Sequence, residues 1–381
     1  MKKAVLLLFG ILLLSNCTKR QPHKQQTEKD DVQVNLSYSD GFSIKEKENY
    51  KEVIVFSPWE RDAVYARYYL VKNEKQQTPA DGIKIKVPLE SIASTSVTHL
   101  EFLNLLEEVD KITAICSPRL VYNRQVQNYF STGKITDLGD AFSLNVEKII
   151  ALNPDGLMMS GYNQTDVNAE RVQQAGIPVI YNNEWMETSL LARAEWIKFV
   201  AVFFDKSHQA DSIFRDIETR YDSVKIKLAN VSYKPKIISG SNFRGTWYMP
   251  GGHSYMSELY KDAGADYFYA NDTTSGSLPL NFEIVLKNFA GTDFWLNCNF
   301  NTIDELIQAD KKHELFRPVK ENRVYNFNKR LLPSGANDFW ESAVARPDLL
   351  LGDVAAILHP ELMPNREFVY AKHLTRSLNE D

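Results

Sequence analysis

Residues 188–230 read TSLLARAEWIKFVAVFFDKSHQADSIFRDIETRYDSVKIKLAN, and they determine how the rest of the chain is organised. This segment contains neither glycine nor proline, and its apolar residues recur three and four positions apart, which is typical of an amphipathic helix. The apolar positions are Leu190, Leu191, Ala194, Ile197, Val200, Ala201, Phe204, Ile213, Ile217, Tyr221, Val224 and Leu228. A single helix of this length spans roughly 60 Å, with residues 205–208 as its one candidate bend. We therefore predict one long connecting helix over residues 188–230.

On both sides of this segment, short strand-like runs alternate with helical patterns. Before it, strands are predicted at residues 111–116, 156–160 and 177–181, with helices at 97–109, 144–152 and 169–175. After it, strands are predicted at residues 235–239, 293–297 and 323–327, with helices at 254–263, 282–289 and 343–358. Such alternation is typical of βαβ units and parallel sheets. The predicted fold is α/β, with two Rossmann-like lobes of mostly parallel sheet, residues 32–187 and 231–381, joined by one long α-helix.

The N-terminus predicts export from the cytoplasm. Two lysines at positions 2 and 3 precede an apolar run over residues 4–14, which is the pattern of a secretory signal. The run ends in Leu14-Ser15-Asn16-Cys17, which resembles a lipoprotein box except that Asn16 replaces the usual small residue. We predict a signal peptide over residues 1–16, lipidation of Cys17, and a flexible tether over residues 17–31. The alternative is an ordinary signal peptide with an incidental cysteine. The predicted location is the periplasm, anchored to a membrane by lipid.

Composition excludes several classes of protein. Lysine and arginine number 44 against 49 acidic residues, a net charge of -5, so the basic excess of a nucleic-acid binder is absent. The only apolar run of membrane type is the short N-terminal one, which excludes a polytopic membrane protein. Cys116 and Cys298 each end an apolar run. They are either a disulfide of an exported protein or, as their positions in different predicted lobes favour, two buried free thiols.

Two glutamates occupy equivalent places in the predicted lobes. Glu147 follows Asn145 in the first turn of one helix, and Glu283 follows Asn281 in the first turn of another. Each helix leads into a strand. A glutamate at a helix start commonly complements the helix dipole, but two at matching positions favour a shared role.

Several motifs resemble one family, the periplasmic substrate-binding proteins of ABC importers for metal chelates, in particular lipoprotein members from Bacteroidetes. The motifs are Ile135–Gly139, Asn145–Asp155, Ala175–Val179, Arg193–Lys198, Trp340–Ser342, Arg346–Asp348 and His359–Leu362. The resemblance runs from about Lys51 to His373. It implies capture of a ferric siderophore, haem or cobalamin between two lobes joined by a helix. It also implies an ABC permease as partner, with Glu147 and Glu283 docking onto permease arginines.

Aromatic and cationic residues follow the predicted strands, where open α/β sheets bind ligands. Arginine attracts anionic chelates, while tryptophan and tyrosine offer flat stacking surfaces. The candidate ligand-binding residues are Trp59, Arg61, Arg119, Tyr122, Tyr162, Trp185, Asn242, Arg244, Trp247, Tyr248 and Trp340. The alternative for each tryptophan is a place in the hydrophobic core, and for each arginine a solvated surface position.

The favoured function is a monomeric, non-enzymatic binding protein for a ferric siderophore. Cobalamin or haem is the alternative cargo, with His253 as a candidate axial ligand. A free zinc or manganese carrier would be a different kind of binding protein, and an exported enzyme could use the same scaffold. The seven histidines are scattered, and the sequence contains no GxSxG, HExxH or P-loop motif. We therefore predict no catalytic residue, no metal site and no resident cofactor, the ligand being an iron or cobalt chelate.

Overall fold

The computed structural model describes residues 32–376, so the predicted signal peptide, Cys17 and tether lie outside the described residues. Within the described part, no helix is both long and apolar enough to cross a membrane. The chain begins with a five-stranded sheet in sequence order. Its strands are β1 (Val32–Gln33), β2 (Phe42–Glu46), β3 (Lys51–Phe56), β4 (Val64–Val71) and β5 (Ile83–Lys86), antiparallel except for the parallel pair β4 and β5.

A parallel sheet follows. Its elements are β6 (Ile92–Ser94), α1 (Leu100–Leu105), β7 (Ile112–Ile115), α2 (Arg124–Ser131), β8 (Thr136–Asp137), α3 (Val146–Leu152), β9 (Leu157–Met159), α4 (Val167–Gln174) and β10 (Val179–Tyr181). The strand order is β10-β9-β6-β7-β8, and all pairs are parallel. Counted from β6, this is the 3-2-1-4-5 order of a Rossmann half, whose topological switch point lies between β6 and β9.

The segment predicted as one connecting helix forms two helices, α5 (Leu190–Val202) and α6 (Ser207–Leu228). Asp205 has a left-handed φ of 60°, and the Lys206 N–H donates to the Ala201 carbonyl at 2.9 Å. This six-residue hydrogen bond around a left-handed residue is a Schellman turn, which ends a helix and redirects the chain. The prediction of a continuous helix over residues 188–230 is therefore wrong.

Helices α5 and α6 pack against each other as an antiparallel pair. The Lys198 ammonium lies 5.0 Å from the centre of the Phe214 ring, although 16 residues of straight helix would separate them by about 24 Å. Both helices contribute to both ends of the molecule. In α6, Phe214 packs in the N-terminal core, while Tyr221 and Leu228 pack in the C-terminal core. The helix that joins the lobes is α6, about 33 Å long.

The C-terminal lobe repeats the alternation with a second parallel sheet. Its elements are β11 (Lys236–Ser239), β12 (Asn242–Phe243), β13 (Thr246–Pro250), α7 (Tyr255–Asp262), β14 (Asp266–Tyr267), β15 (Ser277–Leu280), α8 (Phe282–Phe289), β16 (Phe294–Leu296), α9 (Ile303–Ala309), α10 (Arg317–Lys320), β17 (Val324–Asn326), α11 (Asp338–Glu341), α12 (Pro347–Leu358) and β18 (Lys372–His373). The main sheet has the order β14-β11-β16-β17-β18, parallel except for β18, and β12-β13-β15 form a small antiparallel sheet. The predicted fold class, α/β with mostly parallel sheets, is confirmed.

Cys116 and Cys298, the two cysteines among residues 32–376, are free thiols. Cys116 lies at the end of β7 in the N-terminal lobe, and Cys298 lies after β16 in the C-terminal core. Burial raises the pKa of each thiol to about 12. They therefore behave as small apolar core residues rather than as nucleophiles.

Candidate functional site

The carboxyl-terminal ends of the two parallel sheets face each other. A Cβ atom placed on Gly335, in the loop after β17, would lie 3.9 Å from Leu120 Cδ2, in the loop after β7. Helix α11 also lies against the turn at residues 97–99, which follows β6. The loops that leave both sheets therefore border one cleft between the lobes, the place where open α/β sheets bind their ligands.

Three of the predicted aromatic residues come together on the N-terminal side of the cleft. The Trp59 and Trp185 rings lie 6.4 Å apart, and the Tyr162 and Trp185 rings lie 5.8 Å apart. Phe142, which sequence analysis missed, extends the group at 6.0 Å from Tyr162 and is 80% exposed. Its signal was present, because residue 142 follows the short strand β8 just as Tyr162 follows β9. The four rings form a continuous, partly exposed aromatic surface, in which neighbouring rings are tilted by 41° to 52°.

On the C-terminal side, exposed rings lie on the β12–β13 hairpin and on α11. The hairpin turns at Arg244 and Gly245, both with positive φ, and the Asn242 side chain accepts the Gly245 N–H at 2.9 Å. This is the two-residue turn that matches strand twist. Tyr248 in β13 and Trp340 in α11 are about half exposed, at 48% and 50%. Leu331, another residue missed from the sequence, is exposed in the loop after β17.

Trp247 lies in the hydrophobic core and not at the cleft, contrary to the prediction. It is fully buried, its ring lies 5.2 Å from that of Trp295, and its Nε1 donates to the Ser239 carbonyl at 2.9 Å. In β13, Trp247 points into the core because side chains alternate across a strand, which places the neighbouring Tyr248 outside. The prediction of Trp247 as a ligand-binding residue is therefore wrong.

The predicted arginines differ in their surroundings. Arg119, in the turn after β7, is exposed and has no ion-pair partner among residues 32–376. The Arg244 guanidinium lies 5.1 Å from the centre of the exposed Phe243 ring. The Arg61 side chain is 96% exposed and lies 3.7 Å from the Asp62 carboxylate. Arg119 and Arg244 thus retain charge available to an anion, whereas Arg61 extends into solvent beside an acid.

Tyr122 lies where the lobes touch, next to carboxylates that sequence analysis missed. Glu341, in α11, accepts the backbone N–H of Tyr122 at 2.5 Å and that of Asn123 at 3.0 Å. A cavity of about 260 Å³ adjoins these bonds, and Glu101 and Arg330 also line it. Burial raises the pKa of Glu341 to about 8 and that of Glu101 to about 7. No sequence pattern indicated this contact, because Glu341 lies 219 positions from Tyr122 and 218 positions from Asn123 in the chain.

Glu147 and Glu283 have the same local geometry. Each is the second residue of its helix, α3 or α8, and each side chain is exposed. The preceding asparagine, Asn145 or Asn281, caps the helix by accepting the N–H of the third helical residue. Glu147 forms an exposed ion pair with Arg171 at 2.7 Å. Surface pairs of this kind contribute little energy, so Glu147 can exchange its partner at small cost.

Among residues 32–376, no group of three or more His, Cys, Asp or Glu side chains is arranged so that it could hold a metal ion. His253 lines a separate cavity of about 410 Å³, together with Thr188, Glu258 and Lys261. It is not among the aromatic residues that border the cleft.

Comparison with known proteins assigns the chain to a family. The sequence profile described as "Periplasmic binding protein" matches residues 92–331, more than half of the chain, so the chain belongs to this family. An uncharacterized lipoprotein of Methanocaldococcus jannaschii is 25% identical over 318 residues, covering 78% of this chain and 74% of the relative.

Solved structures show the same fold. An ABC transporter substrate-binding protein from Listeria monocytogenes superposes with a TM-score of 0.53 at 20% identity, covering 71% of this chain and 99% of its own. A periplasmic heme binding protein of Vibrio cholerae superposes with a TM-score of 0.54 at 15% identity. The superposition covers 68% of this chain and 98% of the Vibrio cholerae chain. At these identities the likeness concerns the fold alone.

Proposed function

We propose that this member of the periplasmic binding protein family captures a metal chelate, with a ferric siderophore favoured, in the cleft between its lobes. The observation that carries the proposal is the pair of exposed aromatic surfaces bordering the cleft, accompanied by Arg119 and Arg244. Aromatic rings offer stacking area to the flat groups of a chelate, and arginine donates paired hydrogen bonds to anionic oxygens. Haem or cobalamin is the alternative cargo. The role is capture and delivery, without catalysis.

The proposed partner is the permease of an ABC importer. Glu147 and Glu283 support this because they are exposed, occupy the same helical position in the two lobes, and can each accept an arginine from the permease. Charge-assisted contacts at two separate points would fix the docking orientation of both lobes together. Lipidation at Cys17 would keep the protein, as a monomer, at the membrane that holds this permease.

Closure of the lobes on the chelate is expected to be small. Helices α5 and α6 each pack into both cores, and Glu341 holds the lobes together across the boundary. Rotation about a hinge would have to break this packing. Small-angle scattering profiles of the free and bound protein should therefore nearly coincide, and profiles that differ by a large domain rotation would contradict this expectation.

Fluorescence titration tests the cargo, because Trp59, Trp185 and Trp340 border the cleft. The panel contains ferric catecholate and hydroxamate siderophores, haem, cobalamin, and bare Zn, Mn and Fe ions. We expect saturable quenching by one chelate at low-micromolar concentration or below, roughly -8 kcal/mol of binding free energy. The Trp340→Ala variant should bind that chelate more weakly, whereas Trp185→Phe should retain most of the affinity. A response to a bare ion alone would instead identify a free-metal carrier.

A transport assay tests docking separately. The Glu147→Ala/Glu283→Ala double variant should lose uptake while its affinity for the chelate stays unchanged. A matched control replaces Glu367, an exposed glutamate elsewhere in the C-terminal lobe. Wild-type uptake by the double variant would remove both glutamates from the docking surface.

A further inference from the structure

A second cavity lies between the N-terminal sheet and the first parallel sheet, beside the aromatic surface of the cleft, with which it shares Trp59 and Tyr162. Its volume is about 620 Å³. One wall consists of residues 57, 59–60, 63–67 and 81–83, which precede residue 92, where the family match begins. The other wall consists of the loop at residues 162–166 with Glu170, Gln173 and Tyr181. We call this cavity the lateral groove. More than half of its lining thus belongs to a part of the chain that the family profile does not cover.

Four aromatic side chains line the lateral groove. The Tyr65 ring lies 5.5 Å from Trp59 and 4.9 Å from Tyr181. The Tyr65 hydroxyl accepts the Tyr162 N–H at 3.1 Å and donates to the Tyr162 carbonyl at 3.2 Å. Gly161 permits this approach, because a Cβ atom there would lie 2.6 Å from the Tyr65 ring. The rings are therefore held in place before any ligand arrives.

The charge of the lateral groove is negative. Glu60, Asp81, Asp166 and Glu170 line it, against one cation, Arg67. Arg67 is already paired with Glu52, and it lies 3.3 Å from Asp81. Glu60 and Glu170 are exposed and have no ion-pair partner among residues 32–376. Burial raises the pKa of the Tyr181 hydroxyl, and Asp166 and Glu170 raise it further, so their field reaches the rings.

We propose that the lateral groove binds an organic cation of the alkylammonium class. Aromatic faces attract such cations through their quadrupoles, and unpaired carboxylates supply the countercharge. An anionic chelate is disfavoured there by the same charges. The groove shares Trp59 and Tyr162 with the surface proposed for the chelate, but its carboxylates are its own.

Calorimetric titration of the full chain with choline tests the proposal. The matched ligand control is 3,3-dimethylbutan-1-ol, which has the same shape without the charge. We expect saturable binding of choline in the millimolar range or tighter and no measurable binding of the alcohol. Raising the salt concentration should weaken the choline affinity, because the carboxylates are exposed.

Variants locate the site. Glu60→Gln/Glu170→Gln should weaken choline binding roughly fivefold, since exposed charge pairs contribute only modestly to binding. The control variant Glu48→Gln, which changes an exposed glutamate of the same lobe outside the groove, should bind as wild type. The proposal is overturned if choline shows no saturation up to ~10 mM, if the alcohol binds equally well, or if the double variant keeps wild-type affinity. Because chelates are titrated separately, a failure here leaves the proposed function intact.

Discussion

Replacing Glu341 by glutamine should remove much of the pH dependence of stability. Burial between the lobes raises the pKa of this carboxyl from 4.5 to about 8 in the folded protein, and the nearby Asp338 and Glu101 add to the rise. The hydrogen bonds from Tyr122 and Asn123 act in the opposite direction but do not cancel it. Between pH 4.5 and about pH 8, the folded state therefore holds a proton on Glu341 that the unfolded chain has released.

The sign follows from proton linkage. A carboxyl whose folded pKa is raised contributes stability that is fully present below the unfolded pKa and is lost as the pH rises through the folded pKa. One pKa unit corresponds to about 1.4 kcal/mol, so ionisation of Glu341 lowers the free energy of unfolding by about 3 to 5 kcal/mol between about pH 4 and pH 9. Glutamine has a similar shape and no charge to desolvate, but its NH2 group cannot accept one of the two backbone N–H groups that Glu341 accepts.

Urea unfolding at several pH values measures the effect. Near pH 4 the Glu341→Gln variant should be less stable than the wild type by about 1 to 3 kcal/mol, because one backbone N–H loses its acceptor. By pH 9 the stability difference should have moved by about 3 kcal/mol in favour of the variant. A smaller slope should remain, because burial also raises the pKa values of Glu101 and Glu258 to about 7. Glu367→Gln, an exposed control, should leave the slope unchanged. Parallel pH profiles for the wild type and the Glu341 variant would refute this account of the interlobe contact.

Three further predictions concern stability and reactivity. Trp247→Ala should lower the free energy of unfolding by about 3 to 5 kcal/mol because it empties a core site, whereas Trp340→Ala should lower it by less than about 1 kcal/mol; equal losses in urea unfolding would contradict the burial assigned to Trp247. Asp205→Val should cost about 1 to 2 kcal/mol more than Asp205→Asn, because asparagine tolerates the left-handed conformation at this turn; thermal midpoints of the two variants provide the comparison. Cys116 and Cys298 should resist a thiol reagent in the native protein and react after unfolding; rapid modification of either in the native state would show that burial does not protect it.

The local elements could be predicted because each depends on neighbours in sequence. The asparagine caps before Glu147 and Glu283 bond to residues three positions ahead, and the strands after them are continuous apolar runs of three residues. Patterns of this range are visible in a single sequence. The aromatic residues that follow the strands could also be found in the sequence, because each lies a few positions after a strand. Parallel strands end at one edge of their sheet, so these residues were expected at that edge.

Other features depend on contacts that a linear pattern does not contain. The turn at Asp205 is local and falls at the candidate bend, but it lacks the glycine that usually marks a helix end, so the sequence did not show that the helix stops there and reverses. Trp247 and Tyr248 are adjacent aromatic residues. Trp247 is buried and Tyr248 is exposed because Trp247 lies on the side of β13 that faces the core, and the sequence does not show which side that is.

By itself, the sequence determined the α/β class, the alternation of elements on either side of residues 188–230, and the loops that carry exposed aromatic side chains. These properties follow from periodicity and local capping, which operate over fewer than about ten residues. The tertiary structure alone decided that α5 and α6 fold back on each other, that Glu341 joins the lobes, and that an acidic, aromatic groove opens beside the cleft. Each of these depends on residues far apart in the chain, whose burial and charge become defined only when the two lobes and the N-terminal sheet pack together.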